Sequence, residues 1–364
     1  MRLTIQPNDG VTPIVKSIGS AKKSIEIMIF RFDRREVEKA LANAVTRGVA
    51  VTALIAHTNK AGEDRLRRLE MRLLGAGVTV SRTADDFIRY HGKMMIIDRR
   101  ELHVLAFNYT SLDIDRSRSF GISTTHRKLV SEAISLFEAD VKRNPYEAKV
   151  ADFVVSPSNA RKQFADFIKG AKRSLEIYDV ELSDPEMIKL LEARSKAGVE
   201  VRLIGGMRGR KSTFEVRKSV QRLHARTMVR DGKIAFIGSQ SLRQIELDQR
   251  REVGVIIRDA KIATSIQKTF EADWKVASKM GKKTSAAVPE KAAKRVAKAV
   301  TKRLPEFRPA VEAALKELAK EGTAVDISTQ DVVEDVRDAV KEAVKGAVAE
   351  AMDAAVKEHE ETRR

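Results

Sequence analysis

Two histidines in this chain sit in the same chemical grammar. His91 is followed two residues later by Lys93 and five after that by Asp98. The pattern returns at His224, Arg226 and Asp231. The residues after each cation are apolar and extended in type (Met94 to Ile97; Thr227 to Val229), which predicts a strand, a turn at the aspartate and a returning strand. The returning runs end in small polar residues, at Asn108 in the first copy and at Gly238-Ser239-Gln240-Ser241 in the second. On a strand, residues i and i+2 face one side. His91 with Lys93, and His224 with Arg226, therefore each aim an imidazole and a cation at one space. That pairing suits phosphoryl transfer: a neutral imidazole attacks phosphorus, and a fixed cation stabilises the non-bridging oxygens. A second imidazole protonates the leaving oxygen and later activates water. One such histidine alone reads as a packed or surface imidazole; two with matched spacing argue for a site.

The elements that must position these groups also come twice. Gly19 to Ile27 matches Gly170 to Ile177, with Ser24 over Ser174, and Arg47-Gly48-Val49-Ala50-Val51 matches Ala197-Gly198-Val199-Glu200-Val201, the aligned residues standing 150 apart. The motifs, and Phe137-Glu138-Ala139-Asp140 against Phe270-Glu271-Ala272-Asp273, keep an offset of 133. The first half thus carries a longer insert, including an amphipathic helix over Asp64 to Leu74 and a short strand over Gly77 to Val80. Each half reads helix, strand (Ser24 to Phe30; Ser174 to Val180), helix (Arg35 to Thr46; Pro185 to Ala197), strand (Val49 to Ile55; Val199 to Ile204), then the motif hairpin and a closing helix. Alternating strands and helices predict an α/β sandwich with a mixed sheet in each half.

The doubled motif resembles the phospholipase D superfamily, whose signature is H-x-K-x4-D-x6-G-S-x-N. The likeness covers roughly the first three quarters of the chain. The first copy keeps His91, Lys93, Asp98 and Asn108, with Leu105-Ala106 for Gly-Ser; the second keeps His224, Asp231, Gly238 and Ser239, with Arg226 for Lys and Ser241 for Asn. The resemblance implies two α/β halves packed about a pseudo-two-fold axis with both motifs at their interface. It also implies an acidic or amide residue that orients a catalytic histidine. Glu252 stands 28 residues after His224, while the same step from His91 reaches Ser119. In related enzymes the acid of one half serves the histidine of the other. Carried over, Glu252 orients His91 as nucleophile, and His224, without a carboxylate, is the general acid. Lys93 and Arg226 clamp the phosphate, and Asn108, Ser239 and Ser241 bind it. Asp98 and Asp231 read as structural, bonding backbone or basic neighbours. His57, His103, His126 and His359 show no partner pattern.

The chain has 364 residues, no cysteine and a formal charge of +18. The length suits two domains with sizeable cores, and the absence of cysteine excludes disulfides and thiolate metal sites. No apolar run approaches a membrane span, and the N-terminus breaks apolarity too early for a signal peptide, so a cytoplasmic location is expected. The charge favours anionic partners. Basic runs precede both motifs (Arg65, Arg67, Arg68, Arg72, Arg82, Arg89; Arg208, Arg210, Lys211, Arg217, Lys218, Arg222), and suggest an electropositive cleft. After Trp274 comes a linker over Lys282 to Pro289. Helix-prone segments follow over Glu290 to Leu304, Ala310 to Lys320 and Val332 to His359.

The expectation is therefore a phospholipase D-like core, residues 1–150 and 151–280, with a linker and α-helical C-terminal extension over 281–364. Its activity would be cleavage or transfer of a phosphodiester, a phospholipid first, through a phosphohistidine. No cofactor or metal is expected. A nuclease using the same mechanism and a catalytically weakened polyanion-binding scaffold remain open. Peripheral membrane contact and oligomerisation through the C-terminal helices are further expectations.

Overall fold

A computed structural model describes residues 1–57, 63–208 and 212–279, with two isolated positions, 309 and 313. Residues Met1–Met280 form one compact unit and Gly281–Arg364 a second. The sequence-derived linker, the C-terminal helices and His359 lie outside the described residues, as do Arg210 and Lys211.

The first unit holds two mixed sheets, one largely from each half. The first sheet runs Arg2–Gln6, Ser117–Thr124, Glu101–Leu105, Met94–Ile97, Ser24–Ile29, Ala50–Ile55, Thr79–Arg82. The second repeats this centre as Glu215–Lys218, Glu200–Met207, Ser174–Leu182, Arg226–Arg230, Ile234–Gly238, Arg250–Ile257, with Phe153–Ser156 beside the last strand. The helix expected over Arg35 to Thr46 has those bounds, and the insert helix spans Glu63–Gly75. In the second half, Glu200–Met207 is followed by the parallel strand Glu215–Lys218, with no counterpart of that helix among the described residues.

The halves are joined by an exchange of short strands that no periodicity in the sequence marks. The two residues before each motif leave their own half and pair with the other sheet. Arg89–Tyr90 runs parallel to Arg250 and Arg251, and Arg222–Leu223 runs parallel to Ser117 and Arg118. Each motif is thereby handed across the interface. Beneath this exchange lies a shared core: Phe120 packs on Tyr178, Tyr178 on Phe270, and Phe270 stacks on Trp274. Two matched ion pairs close the interface, Arg118 with Asp273 at 2.7 Å and Arg251 with Asp140 at 3.2 Å.

Each hairpin turn is fixed by its aspartate. Asp98 takes a left-handed φ of 52° and accepts from the backbone N–H groups of Lys22, Lys23 and Ser24. Asp231 takes φ 55° and accepts likewise from Lys172, Arg173 and Ser174. A short polar side chain tolerates that backbone and satisfies the donors that open the neighbouring strand.

Candidate functional site

The exchanged segments bring both motifs to the seam. The His91 and Gly92 N–H groups both donate to the Arg251 carbonyl, at 2.7 and 3.1 Å. A side chain at Gly92 would meet Val253 Cγ2 at 2.9 Å, so this close approach needs glycine. In this position His91 Nδ1 donates to Glu252 across the interface, 2.8 Å from Oε2. With the hydrogen on Nδ1, the Nε2 lone pair is free. Glu252 is fully buried, and burial pushes its carboxyl up while Lys93 opposes the shift. Burial also holds His91 well below the ordinary imidazole range, reinforced by Lys93, Arg226, Arg250 and Arg89, so the ring is neutral at neutral pH.

Lys93 is fully buried. Its Nζ donates to the His91 carbonyl at 2.6 Å and lies over the Phe30 ring. Burial lowers its pKa to about 7, with Glu252 resisting. Phe30 meets the His91 ring edge-on at 4.5 Å and also sits beneath Arg31 and Arg89.

His224 is held differently. Its Nδ1 donates to the Ala106 carbonyl at 2.9 Å, and Asp113 Oδ2 lies 3.5 Å from Nε2. Burial lowers its pKa, helped by Arg226 and opposed by Asp113. Oxygen acceptors at both ring nitrogens accommodate a ring that carries two protons during turnover. The sequence reading left this histidine without a carboxylate; Asp113 supplies one. Burial alone would raise the Asp113 carboxyl, but His224, Arg222 and the Asn108 N–H bring it well below the usual range.

Arg226 donates from Nε to Ser241 Oγ at 3.3 Å and approaches His224 with Nη1. Asn108 donates from Nδ2 to Asp113 at 2.6 Å, and its buried Oδ1 has no partner. Ser241 lies inside the site, while Ser239 is turned into the wall: its Oγ accepts from the Val253 N–H and bonds Glu252. Thus His91, Lys93, His224, Arg226, Glu252, Asn108 and Ser241 gather at one place, whereas Asp98 and Asp231 stand away at the hairpin turns.

The departures from the family pattern have physical partners. Leu105 lies opposite Gly121 and fills the space that Gly238 and Gly254 leave for Phe236 in the other half. Ala106 and Ser119 occupy the places of Ser239 and Glu252, so where the carboxylate is missing its supporting hydroxyl is missing too.

Seven residues around the site were not singled out as site residues from sequence: Phe30, Arg31, Arg89, Asp113, Arg222, Glu246 and Arg250. Asp113 and Glu246 carry one faint signal, the motif offset of 133. The basic runs, by contrast, are mostly neutralised outside the site. Arg67 and Arg82 pair with Glu70, Arg72 with Glu38, Arg208 with Glu181 and Arg217 with Glu215. Among the described residues, Arg89 and Arg222 are the members that reach it.

A family profile described as cardiolipin synthase, PLD-like domain, matches residues 14–141 and 164–274. The chain belongs to the phospholipase D-like family. A polyphosphate kinase of Vibrio vulnificus is 27% identical over 288 residues, 70% of this chain and 41% of that protein. The chain therefore spans about two fifths of the length of this curated relative. Among solved structures, polyphosphate kinase from Porphyromonas gingivalis superposes with a TM-score of 0.62 at 18% identity, over 75% of this chain and 50% of that one. Phosphatidylserine synthase from Haemophilus influenzae superposes with a TM-score of 0.60 at 12% identity, over 77% and 87%. These two share the fold of this phospholipase D-like chain. No described helix is long and apolar enough to cross a membrane.

Proposed function

We propose that this phospholipase D-like chain is an enzyme that cleaves or transfers a phosphodiester through a phosphohistidine on His91. His91 Nε2 attacks phosphorus and the bond to the leaving oxygen breaks. His224 gives that oxygen its proton, then takes one from the incoming water or alcohol, whose oxygen displaces His91. Lys93 and Arg226 hold the non-bridging oxygens, and the Asn108 amide adds a donor. The observation that carries this reading is the Glu252–His91 bond, made across the two halves at 2.8 Å. It puts a neutral imidazole, correctly protonated for attack, beside two cations. A phospholipid diester is the first substrate class, supported by the family to which the chain belongs.

A second reading of the substrate is an oligophosphate. It is favoured by the guanidinium groups of Arg31 and Arg89, which no carboxylate of a described residue pairs within 4 Å. The polyphosphate kinase relatives point the same way.

The test is turnover of bis(p-nitrophenyl) phosphate with chelator present, for the unaltered chain and for His91→Ala and His224→Ala. Turnover that both changes abolish supports the paired site. Acid-labile phosphate trapped on His91 supports the assignment of roles, and a trapped adduct on His224 reverses it. Unaltered protein no faster than the variants, on this diester, phospholipid vesicles and tripolyphosphate alike, leaves a phosphate-binding scaffold.

A further inference from the structure

The two halves treat one pair of arginines unequally. Arg89 and Arg222 are equivalent, each two residues before its histidine and each on an exchanged strand. Arg222 lies opposite Ser117, bonds its hydroxyl, and donates to Asp113 at 2.8 Å. Arg89 lies opposite Arg250, which stands in the place of Ser117. Glu246, the counterpart of Asp113, is taken by Arg250 at 2.9 Å. No carboxylate of a described residue pairs with Arg89.

The His91 side of the site is therefore left with surplus positive charge. Arg31, Arg89 and Lys93 place their cationic centres 5.7, 5.5 and 5.4 Å from the centre of the one Phe30 ring that also meets His91. Arg250 is only 8% exposed, and its Nε has no hydrogen-bond partner; the Arg31 Nε is likewise buried and unpartnered. Desolvated guanidinium groups with open donors, facing one another, are costly unless an anion joins them. The two cations of the motifs are enough for the single charge of a diester. Arg250 is paired with Glu246, but Arg31 and Arg89 add two guanidinium groups that no carboxylate of a described residue takes, and with the open Nε of Arg250 they ask for a second anionic centre.

We propose that Arg31, Arg89 and Arg250 form a subsite for a second phosphate, directly linked to the one that reacts at His91, so that the ligand is an inorganic oligophosphate. The proposal rests on His91 marking the reacting position. Lys93 and Arg226 take the reacting phosphate, and the three guanidinium forks take its neighbour by paired N–H···O bonds. The crowding of Arg31, Arg89 and Lys93 around the one Phe30 ring suits a phosphoanhydride, whose phosphates share an oxygen, better than a nucleotide backbone, where a sugar separates them.

The test measures binding rather than turnover, so that it stays readable whatever the catalytic outcome. Titration calorimetry on His91→Gln compares tripolyphosphate with orthophosphate, then repeats the comparison with Arg89→Gln, Arg89→Lys or Lys268→Gln added, each checked for fold by circular dichroism. The expected result is a preference for tripolyphosphate that falls by about tenfold or more with Arg89→Gln, is only partly kept by Arg89→Lys, which retains the charge without the fork, and is untouched by Lys268→Gln on the exposed face of the helix Ala260–Val276. A preference that survives Arg89→Gln overturns the subsite. Equal loss with Lys268→Gln overturns it as well, since that is unspecific attraction. Tighter binding of an oligothymidylate than of tripolyphosphate, lost with Arg89→Gln, overturns the phosphoanhydride assignment. Absence of any turnover in the unaltered protein, with the tripolyphosphate preference intact, would instead sink the catalytic reading alone.

Discussion

Ser119 and Glu252 occupy equivalent positions in the two halves and do different work. The Glu252 carboxylate meets His91 Nδ1 at 2.8 Å, while the Ser119 hydroxyl donates to the backbone carbonyl of His224 at 2.9 Å. One substitution thus breaks the two-fold equivalence of the histidines. His91 has a charged acceptor that fixes its tautomer, and His224 has the neutral Ala106 carbonyl at the same nitrogen.

Changing Glu252 to Gln should therefore damage the chemistry far more than the fold. The amide keeps the shape but no longer demands the hydrogen on Nδ1. Loss of the orienting charge in a comparable carboxylate–histidine pair costs about 10⁴ in kcat, and about 10² is the least expected here. Steady-state kinetics with an unfolding midpoint in parallel checks it. A loss of less than tenfold would remove Glu252 from the mechanism.

The pH profile should be bounded by His91 on the acid side and Lys93 on the basic side. His91 lies well below the ordinary range because burial and four neighbouring cations disfavour its protonation, so kcat/KM should hold down to pH values under 6.5. Lys93 in the free protein loses its charge near pH 7, so kcat/KM should decline above that point. Lys93→Arg should move the basic limb upward. Stability follows with a definite sign. The folded Lys93 pKa of about 7 is below its unfolded value, so the unfolded chain binds the extra proton between about pH 10.5 and 7. Stability from this group is present above that window and is lost as pH falls through it. Lys93→Met should remove that slope from the difference between denaturation curves at pH 7 and 9.

Much of this architecture is legible in sequence because it repeats. The doubled His-x-cation spacing locates the seam, and the step of 28 residues from His224 finds Glu252. The pieces that sequence hides are those whose partners the fold chooses. Arg89–Tyr90 and Arg222–Leu223 are two-residue strands, too short to show a period, yet their exchange makes the interface. Asp113 lies on a five-residue helix and reaches His224 only because the halves meet. The basic runs mislead for the opposite reason. Charge counts show cations but not their partners, and Glu70 and Glu38 sit far enough from Arg82 and Arg72 in sequence for the pairing to be invisible.

Asp113→Asn tests the role of His224. Asp113 holds Arg222 and Asn108 as well as facing Nε2 of His224, so its loss weakens the group that delivers the proton. General acid catalysis is worth about 10²–10⁴-fold, and it matters most when the leaving oxygen is basic. The variant should therefore lose more rate on a substrate with an alkyl alcohol leaving group than on a p-nitrophenyl ester. The ratio of the two losses is the measurement. Equal losses would mean that Asp113 only supports the fold, or that His224 does not donate the proton.

Asp98→Asn should act on stability. Asp98 accepts three backbone N–H bonds at the opening of the strand Ser24–Ile29, and those bonds draw its carboxyl below the usual range against the opposing effect of burial. Asparagine tolerates the φ of 52° equally well, so backbone strain is unchanged and only the charged acceptor is lost. The turn is partly exposed, so the expected cost is about 1–2 kcal/mol, the scale of a helix-capping carboxylate. The sign with pH follows from the depressed pKa: the contribution is full above pH 3.8 and disappears as the pH falls through the lower folded value. Urea denaturation at pH 7 should show the deficit and, if the folded state survives to pH 3, a smaller one there. Asp231→Asn should match it, because Lys172, Arg173 and Ser174 make the same three bonds. A deficit in one aspartate without the other would mean that the hairpins, alike in geometry, differ in what the rest of each half requires of them.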